Sequence, residues 1–360
     1  TIDSGKKILV AGMGAAGRSF FALDVSSPRA ADEAALVSKV MWEFPLSTDS
    51  ATIAKVGQTV GKPVIVKSPS DGYVVLVTSG YNNSDGKGRL WMLNATTGAI
   101  IKEFTTTSTS GADTGLAHVA AFDDGYGSAR YVYGGDLEGS LWRFDLQAKD
   151  TPVKVAALTG PTGTAQPVTA QPELMKVDDH RVIVVGTGRL LDIGDFGSSA
   201  VQTLYAIKDG ATISPARTSL VRQVYSRSPD GITASPVDWA TGRGWYMDLP
   251  AGEQANTRPS IAYGGVAIVT NVAGSTDCTA SSYLYLVNVR TGDKFPDADF
   301  VGAVISSTAN ATPVTVVVTT DGKARGLVQT YDGGTPGARS WPPPKINPSK
   351  TAWREIRKQE

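Results

Sequence analysis

The sequence predicts an all-β chain, specifically a modified β-propeller with seven blades. Three observations predict it: one strand motif recurs along the chain, the same kind of hairpin surrounds each copy, and the composition favours tight turns. The 360 residues include 39 Gly and 20 Pro, with 41% hydrophobic residues. This balance is typical of many short strands joined by turns, and the chain is long enough to bury a large core.

The recurring motif is an apolar residue, an aromatic residue, any residue and an apolar residue, often followed by Asp or Asn. Its second position falls on Phe21, Trp91, Trp142, Tyr205, Tyr246 and Tyr285. The average interval is about 53 residues, which is near the longer propeller repeats and gives roughly seven units for the chain. We expect these rings to fill the gaps between facing blades, as core residues.

Each copy has the same surroundings. A β-branched run and a Gly-rich turn precede it, so run, turn and motif predict a β-hairpin. Stretches that begin with Pro predict the first strand of several units, because Pro can open a strand without removing a needed donor. A last strand follows the motif, as at residues 40–44 and 100–104. Four strands per unit make a blade. The hairpin runs are residues 8–11, 74–77, 130–133, 182–185 and 266–269, and the Pro-led stretches are 63–66, 167–169, 259–261 and 313–315.

The alternative is a set of unrelated hairpins in stacked β-sandwiches. Sandwiches also repeat turns, but they give no reason for one strand motif to recur. The propeller is therefore the preferred interpretation.

Two segments depart from the repeat. Ser27 at a cap position, Pro28 in the first turn and an Ala-rich continuation predict a short helical insertion near residues 28–36. Trp341 and the three prolines after it begin an extended stretch. We expect residues 1–340 to form the propeller domain and residues 341–360 to form a C-terminal strap that closes on it. Because the chain begins at Thr1 without a targeting segment, we interpret it as a mature or excised part of a longer protein.

Charge and composition exclude several function classes. Lys plus Arg and Asp plus Glu number 34 each, so the sequence lacks the basic excess that nucleic acid requires. No apolar run is long enough to span a bilayer. Cys278 is the single cysteine, so no internal disulfide can form. It is expected to be a free thiol or the partner of a cysteine in a missing region.

The sequence contains short matches to catalytic and cofactor-binding motifs, but each match lacks the context that the motif requires. Residues 12–17 match G-x-G-x-x-G, but a strand follows instead of the helix that would hold a pyrophosphate, so we interpret them as a hairpin turn. Residues 195–197 match a kinase signature by letters only and predict a turn. His118 and His180 are the only histidines, and no nucleophile-elbow sequence is present. We therefore expect no enzyme, no catalytic residue and no bound cofactor.

The best metal candidate is the loop at residues 123–130. Calcium loops supply carboxylates at alternate positions around a Gly turn, and Asp123 and Asp124 are acids of that kind. Tyr126 and Arg130 stand where further acids would be needed, and an arginine beside two carboxylates can replace the cation. Asp123 and Asp124 are thus the predicted metal ligands of a degraded calcium loop.

Several segments resemble the C-terminal propeller of the PilY/PilC-type type IV pilus proteins. The most specific is YGGDLEGSLWRFDL, which ends at Leu146. The similarity runs in order over nearly the whole chain. The other segments are residues 12–25, 80–83, 186–191, 202–207, 242–250 and 352–355.

The resemblance implies a secreted protein at the pilus tip, the cell surface or the outer membrane and periplasm of a Gram-negative bacterium. Such proteins promote pilus assembly and twitching motility, oppose retraction, and take part in adhesion and surface sensing. Their partners would be minor pilins or other tip components, their own variable N-terminal region, and a host or abiotic surface. Many members carry an acid-rich calcium loop, of which this sequence retains only Asp123 and Asp124, and no Arg-Gly-Asp tripeptide occurs.

Two further functions stay open. Residues 93–98 and 287–292 are similar to the repeat tails of quinone-dependent dehydrogenases, although a single cysteine forbids the adjacent pair that their alcohol dehydrogenases use. A calcium-responsive regulatory module without adhesion is the other alternative.

Overall fold

The structure is a computed structural model that describes residues 1–341, except 3–4, 28, 109–110, 112, 124–126, 276–278, 297, 321 and 335–338. The described residues form six antiparallel or mainly antiparallel sheets, two short α-helices and two short 3-10 helices. The predicted all-β class is confirmed. The described residues form six sheets, a number consistent with the predicted seven-bladed propeller.

The sheets follow one another along the chain and are numbered sheet 1 to sheet 6. In most of them each strand pairs with the next, which is the pattern of a propeller blade. Sheet 1 is β1 (Ile8–Gly12), β2 (Phe20–Asp24) and β3 (Val40–Phe44); sheet 2 is β4 (Val64–Ser68), β5 (Gly72–Thr78), β6 (Arg89–Asn94) and β7 (Ile100–Thr105); sheet 3 is β8 (Val119–Asp123), β9 (Ala129–Gly135), β10 (Ser140–Asp145) and β11 (Val153–Ala157).

Sheet 4 is larger than the others. It contains β12 (Glu173–Val177), β13 (His180–Gly186), β14 (Thr203–Lys208), β15 (Val221–Arg227), β16 (Asp230–Thr233) and β17 (Gly244–Asp248), in the order β12-β13-β14-β17-β15-β16. Sheet 5 is β18 (Ser260–Ala262), β19 (Gly265–Ala273), β20 (Ala280–Asn288) and β21 (Gly302–Ser306), and sheet 6 is β22 (Thr315–Val318), β23 (Ala324–Leu327) and β24 (Arg339–Trp341).

Sheet 4 corrects the repeat count. The segment around Tyr246 was predicted to be a separate copy of the motif, but β17 pairs antiparallel with β14, and Tyr205 lies directly opposite Tyr246. β17 is therefore the fourth strand of the same blade, and the β15–β16 hairpin is an insertion that pairs parallel to it. Five of the motif copies belong to separate sheets, so their average spacing is longer than the predicted value.

Two boundaries also differ from the prediction. The Pro-led stretch at residues 167–169 is not a first strand: Val168 forms only an isolated bridge to Gly188, and β12 begins at Glu173. The predicted helical insertion is present as α1 (Glu33–Val37), but Asp32 caps it through a hydrogen bond from the Ala35 N–H. Ser27 was the wrong cap, and Pro28 lies outside the described residues. The second helix is α2 (Ser50–Lys55).

The Asp or Asn that ends the motif has a structural role. Asn94 and Asn288 each accept hydrogen bonds from the two N–H groups at positions two and three residues later, and Asp145 does the same. A side chain that accepts such bonds stabilises a tight turn. The tails that resemble dehydrogenase repeats are therefore turn caps after the motif strand.

The core lies between consecutive sheets, as the motif predicted. Buried clusters join sheet 1 to 2, 2 to 3, 3 to 4, 4 to 5 and 5 to 6. The motif aromatics Trp91, Trp142, Tyr205 and Tyr285 are all at most 3% exposed. Phe21 is the exception, since it is only half-buried.

At one end of the strands, backbone hydrogen bonds join the sheets to one another. This end contains the hairpin turns that follow β1, β5, β9, β13, β19 and β23, and the connectors that join each sheet to the next (residues 45–63, 106–118, 158–172, 249–259 and 307–314). We call it the turn face. Each connector bonds to the turn of the sheet before it and to the turn of the sheet after it, except at sheet 5, where Asn271 near the end of β19 is the bonded residue.

These bonds form an unbroken series from sheet 1 to sheet 6. The bonds from connector to turn are typified by Thr59 N–H to Gly17 O (3.1 Å) and Ala255 N–H to Thr187 O (2.9 Å). The reverse direction is typified by Gly80 N–H to Leu116 O (2.9 Å). At sheet 5 the Asn271 backbone pairs with Gln254 of the fourth connector, and the Asn271 side-chain amide bonds both the N–H and the C=O of Ala311 in the fifth.

We expect Gly80→Ala to destabilise the protein more than Gly14→Ala. Both glycines have a left-handed φ, +65° and +68°, so a side chain costs about 1–2 kcal/mol at either. At Gly80 an added Cβ would also lie 1.8 Å from the Gln58 carbonyl oxygen, whereas at Gly14 it would meet nothing within 4 Å. Urea unfolding should therefore show an extra loss of about 2 kcal/mol for Gly80→Ala. Equal losses would contradict the close approach of turn and connector.

Candidate binding face

The turn after β9 carries the most specific part of the sequence motif, and its acid is structural. Asp136 is completely buried. Its carboxylate accepts hydrogen bonds from the N–H groups of Glu138 (3.0 Å) and Ser140 (2.8 Å) and from Trp142 Nε1 (2.7 Å). Burial raises the pKa of Asp136 to about 6, despite these bonds. Asp136 therefore fixes both the turn and the ring of Trp142.

The longest turn, between β13 and β14, presents an apolar tip. Within residues 187–202 a short 3-10 helix spans Ile193–Asp195. Ile193 is 82% exposed, and Leu191 and Phe196 are also exposed. Exposed apolar side chains grouped within six residues of one turn are typical of an interaction site. Residues 195–197, which match a kinase signature by letters, form this turn, as predicted.

A buried acid holds this tip in place. The Asp195 carboxylate accepts hydrogen bonds from Arg189 Nε (2.6 Å) and from the Leu191 N–H (2.8 Å). Burial raises the pKa of Asp195, but these bonds outweigh it and keep the pKa below its ordinary value. The Gly197 N–H also bonds Ala273 O at 2.8 Å, which ties the turn to sheet 5. The exposed apolar side chains thus stand on a well-anchored loop.

Other exposed apolar side chains lie on the same turn face. They belong to the turns after β1 and β23 and to the first connector. Those with more than half of their surface exposed are Met13, Leu46 and Tyr331. The turn face therefore combines a hydrogen-bonded backbone with exposed apolar side chains, a combination that is common at interaction sites. We call Leu191, Ile193 and Phe196 the apolar tip.

A buried carboxylate behind this face was not found from the sequence. Glu253, in the fourth connector, is 2% exposed and accepts hydrogen bonds from Thr270 Oγ1 (2.6 Å) and Tyr285 Oη (2.8 Å). Arg227 of the inserted hairpin forms its ion pair. Burial raises the pKa of Glu253. The network links sheet 4 to sheet 5, and no local sequence pattern marks it because its members are distant along the chain.

One cavity lies between first strands. It has a volume of about 500 Å³ and is lined mainly by β8, the residues before β12, and β12 itself. Val64 of β4 also lines it, so the cavity borders the first strands of sheets 2, 3 and 4. Glu173 and Arg258 form an ion pair at its wall (2.7 Å).

The predicted metal loop is only partly described. Asp123 ends β8 and is exposed, and its carboxylate accepts a hydrogen bond from the Gly127 N–H (3.1 Å). Asp124 lies outside the described residues, as does Cys278. Arg130, the expected replacement for a cation, forms its ion pair with Asp145 (2.8 Å). Within the part of the chain that the structure describes, no group of three or more His, Cys, Asp or Glu side chains could hold a metal ion. Calcium binding stays a prediction.

The glycine cluster at residues 12–17 is a hairpin turn, as predicted. Gly12 ends β1, and the next element is the antiparallel strand β2 rather than a helix. Among the described helices, none has the length and apolar character needed to cross a bilayer.

Fold and face together define the class of protein: a β-propeller in which backbone hydrogen bonds join the turns and connectors of one face. The protein family described as PilY1 beta-propeller domain matches residues 2–227, well over half of the chain. The chain therefore belongs to the PilY1 β-propeller domain family.

Similar proteins agree with this assignment. A type IV pilus biogenesis factor PilY1 homolog of Xylella fastidiosa is 32% identical over 330 residues, and the type IV pilus biogenesis factor PilY1 of Pseudomonas aeruginosa PAO1 is 26% identical over 349 residues. Each alignment covers 80% of this chain, but only 22% and 29% of those proteins. The crystal structure of the P. aeruginosa PilY1 C-terminal domain aligns with a TM-score of 0.74 at 22% identity, over 93% of this chain and 80% of that one.

We expect the stability contribution of Asp136 to fall as the pH rises. Its pKa in the folded protein is about 6, above the ordinary 3.8. The contribution is therefore complete below about pH 4 and is lost as the pH rises to about 6. Asp136→Asn cannot titrate, and its amide loses the bond to Trp142, at a cost of about 1–3 kcal/mol. Urea unfolding from pH 4 to 7 should show wild type and variant converging as the pH rises. A difference that grows with pH would contradict this assignment.

Proposed function

We propose that this chain is a non-enzymatic domain of a type IV pilus tip and biogenesis protein. It supports pilus assembly, opposes retraction and contributes to surface adhesion, as part of a longer secreted protein at the surface of a Gram-negative bacterium. Family membership supports the connection with the pilus. The two similar proteins are type IV pilus biogenesis factors, and the chain covers less than a third of each.

The apolar tip is the observation that carries this proposal. Ile193, with 82% of its surface exposed, is the most exposed large apolar side chain described. A monomeric domain gains no stability from such a residue, whereas a bound protein can cover it. The Asp195 hydrogen bonds keep the loop ordered before binding, which reduces the entropy lost on association. We propose minor pilins or other tip components as the partners.

The proposal is tested by capture of purified minor pilins on the immobilised chain. We expect Ile193→Asp to weaken retention at least tenfold, because a charge at the centre of an apolar contact must be desolvated. Leu36→Asp is the matched control, because Leu36 is also an exposed large apolar residue, at 57%. It lies on α1 in the β2–β3 connection, which is at the end of sheet 1 opposite the β1–β2 turn. The control should bind like wild type.

Thermal unfolding should show both variants within a few degrees of wild type, since both positions are exposed. Wild-type retention with loss only in Ile193→Asp supports the proposal. If no tip component is retained by the wild type, or if both variants bind equally well, the proposed role of the apolar tip is refuted.

A further inference from the structure

Three arginines surround one aromatic ring at the end of sheets 3 and 4 that lies opposite the turn face. The ring belongs to Tyr131, near the start of β9. The guanidinium carbons of Arg130, Arg143 and Arg181 lie 4.9 Å, 5.4 Å and 4.3 Å from the centre of this ring, within the range of a cation–π contact. Their side chains are 45%, 22% and 35% exposed, so solvent reaches all three. We call these three arginines the arginine cluster.

Two carboxylates among the described residues pair with the arginine cluster. Asp145, at the end of β10, accepts hydrogen bonds from Nε (3.2 Å) and Nη2 (2.8 Å) of Arg130. Asp209, just after β14, accepts hydrogen bonds from Arg143 Nη1 (2.7 Å) and Arg181 Nη2 (2.8 Å), and its side chain is only 2% exposed. The cluster therefore carries one more positive charge than these two carboxylates neutralise.

The surplus charge affects the arginines themselves. Hydrogen bonding to Asp145 raises the pKa of Arg130, but the charge of Arg181 acts in the opposite direction. Arg243, just before β17, adds a further cation: burial lowers the pKa of Arg243, and the charge of Asp209 opposes this effect. Within the part of the chain that the structure describes, the Nε atom of Arg243 is buried without a hydrogen-bond partner. This end of sheets 3 and 4 is thus short of negative charge.

We propose that the arginine cluster binds an acidic segment of a partner protein, whose carboxylate groups take up the surplus positive charge. A guanidinium group presents a planar fork of donors that matches a carboxylate, and Asp145 already contacts Arg130 through both of its oxygens. A carboxylate carries one negative charge, which equals the surplus of the cluster, whereas a phosphate monoester carries about 1.5–2 near pH 7.

This site is separate from the apolar tip. The cluster lies where β9 and β13 begin, whereas the tip belongs to the turn in which β13 ends. The acidic segment would therefore bind at the other end of the sheets, and the proposal does not depend on the role of the tip.

The repeated motif allows one internal carboxylate to be removed while its turn is kept. Asp145 ends the motif of sheet 3 and accepts hydrogen bonds from the N–H groups two and three residues later. Asn94 and Asn288 form the same bonds in sheets 2 and 5. Asp145→Asn should therefore keep the turn and remove the charge that pairs with Arg130.

Binding of a fluorescein-labelled hexaglutamate peptide to the full chain tests the proposal. Fluorescence anisotropy is measured in low-salt buffer, where exposed charges are least screened. We expect Asp145→Asn to bind the peptide about fivefold more tightly than wild type and Arg130→Gln to bind it about fivefold more weakly, because the surplus charge rises in one variant and falls in the other. Both variants break the same ion pair, so a purely structural effect would change binding in the same direction.

Arg18→Gln and Asp24→Asn are the matched controls. Arg18 is an exposed arginine in the β1–β2 turn, and Asp24 ends the motif of sheet 1 as Asp145 ends that of sheet 3. These variants change the net charge of the chain by the same amounts, but in sheet 1. Both should bind the peptide like wild type, and thermal unfolding should show that all four variants are folded.

Each outcome decides the proposal. Opposite changes in the two cluster variants, with unchanged controls, support it. Absence of binding by wild type overturns it, as do changes in the same direction or equal changes in the controls. If vesicles of anionic phospholipid bind and the hexaglutamate peptide does not, the site takes phosphate groups and the acidic protein segment is refuted. Because each cluster variant has its own expected sign, the test remains valid if one of them fails to fold.

Discussion

The hydrogen bonds between the hairpin turns and the connectors are the constraint on which the rest of the structure depends. Each connector bonds the turn before it and the turn after it, or Asn271 of β19 at sheet 5, so the position of every sheet is fixed by its neighbours. Gly80 shows how close this approach is, because its N–H bonds Leu116 O while its Cα lies against the Gln58 carbonyl. Backbone groups at the turn face are satisfied by this series rather than by solvent.

Side-chain packing between consecutive sheets also holds the sheets in place. The motif ring of each sheet enters the core of the preceding interface, where Trp91 meets the edge of Phe44 (ring centroids 5.3 Å apart) and Tyr285 meets Tyr225 (5.2 Å). The same arrangement leaves Phe21 only partly buried where no preceding sheet is described. The turn face is consequently rigid, and the apolar tip projects from it at a fixed place.

Much of the fold could be predicted because its signals are local. The Gly turns, the motif strands and the turn-capping Asn94 lie within a few residues of one another, and the hairpins were found correctly. The role of Tyr246 was not predicted correctly. Its strand β17 matches the motif, as β14 does, but the two strands pair in one sheet although the inserted hairpin separates them along the chain. The first strand at residues 167–169 was misplaced since Pro167 stands in a connector that bonds Gly188.

The candidate binding face was less predictable, because its signals are not local. Its parts come from turns that are far apart along the chain, and exposure of Ile193 depends on the tertiary packing around it. Glu253 gave no signal, because its partners Thr270, Tyr285 and Arg227 lie on different strands. The resemblance to pilus proteins indicated the family, but it did not indicate the apolar tip.

Native-state hydrogen exchange of the turn-face amides tests the central claim most directly. The N–H groups of Gly80, Leu137, Val168 and Ala255 each donate to a neighbouring connector or turn. If these bonds fix the sheets, all four amides should exchange only through global unfolding, with the same opening free energy as the buried strand β6. Exchange of any of them through local opening, several kcal/mol below that value, would contradict the account.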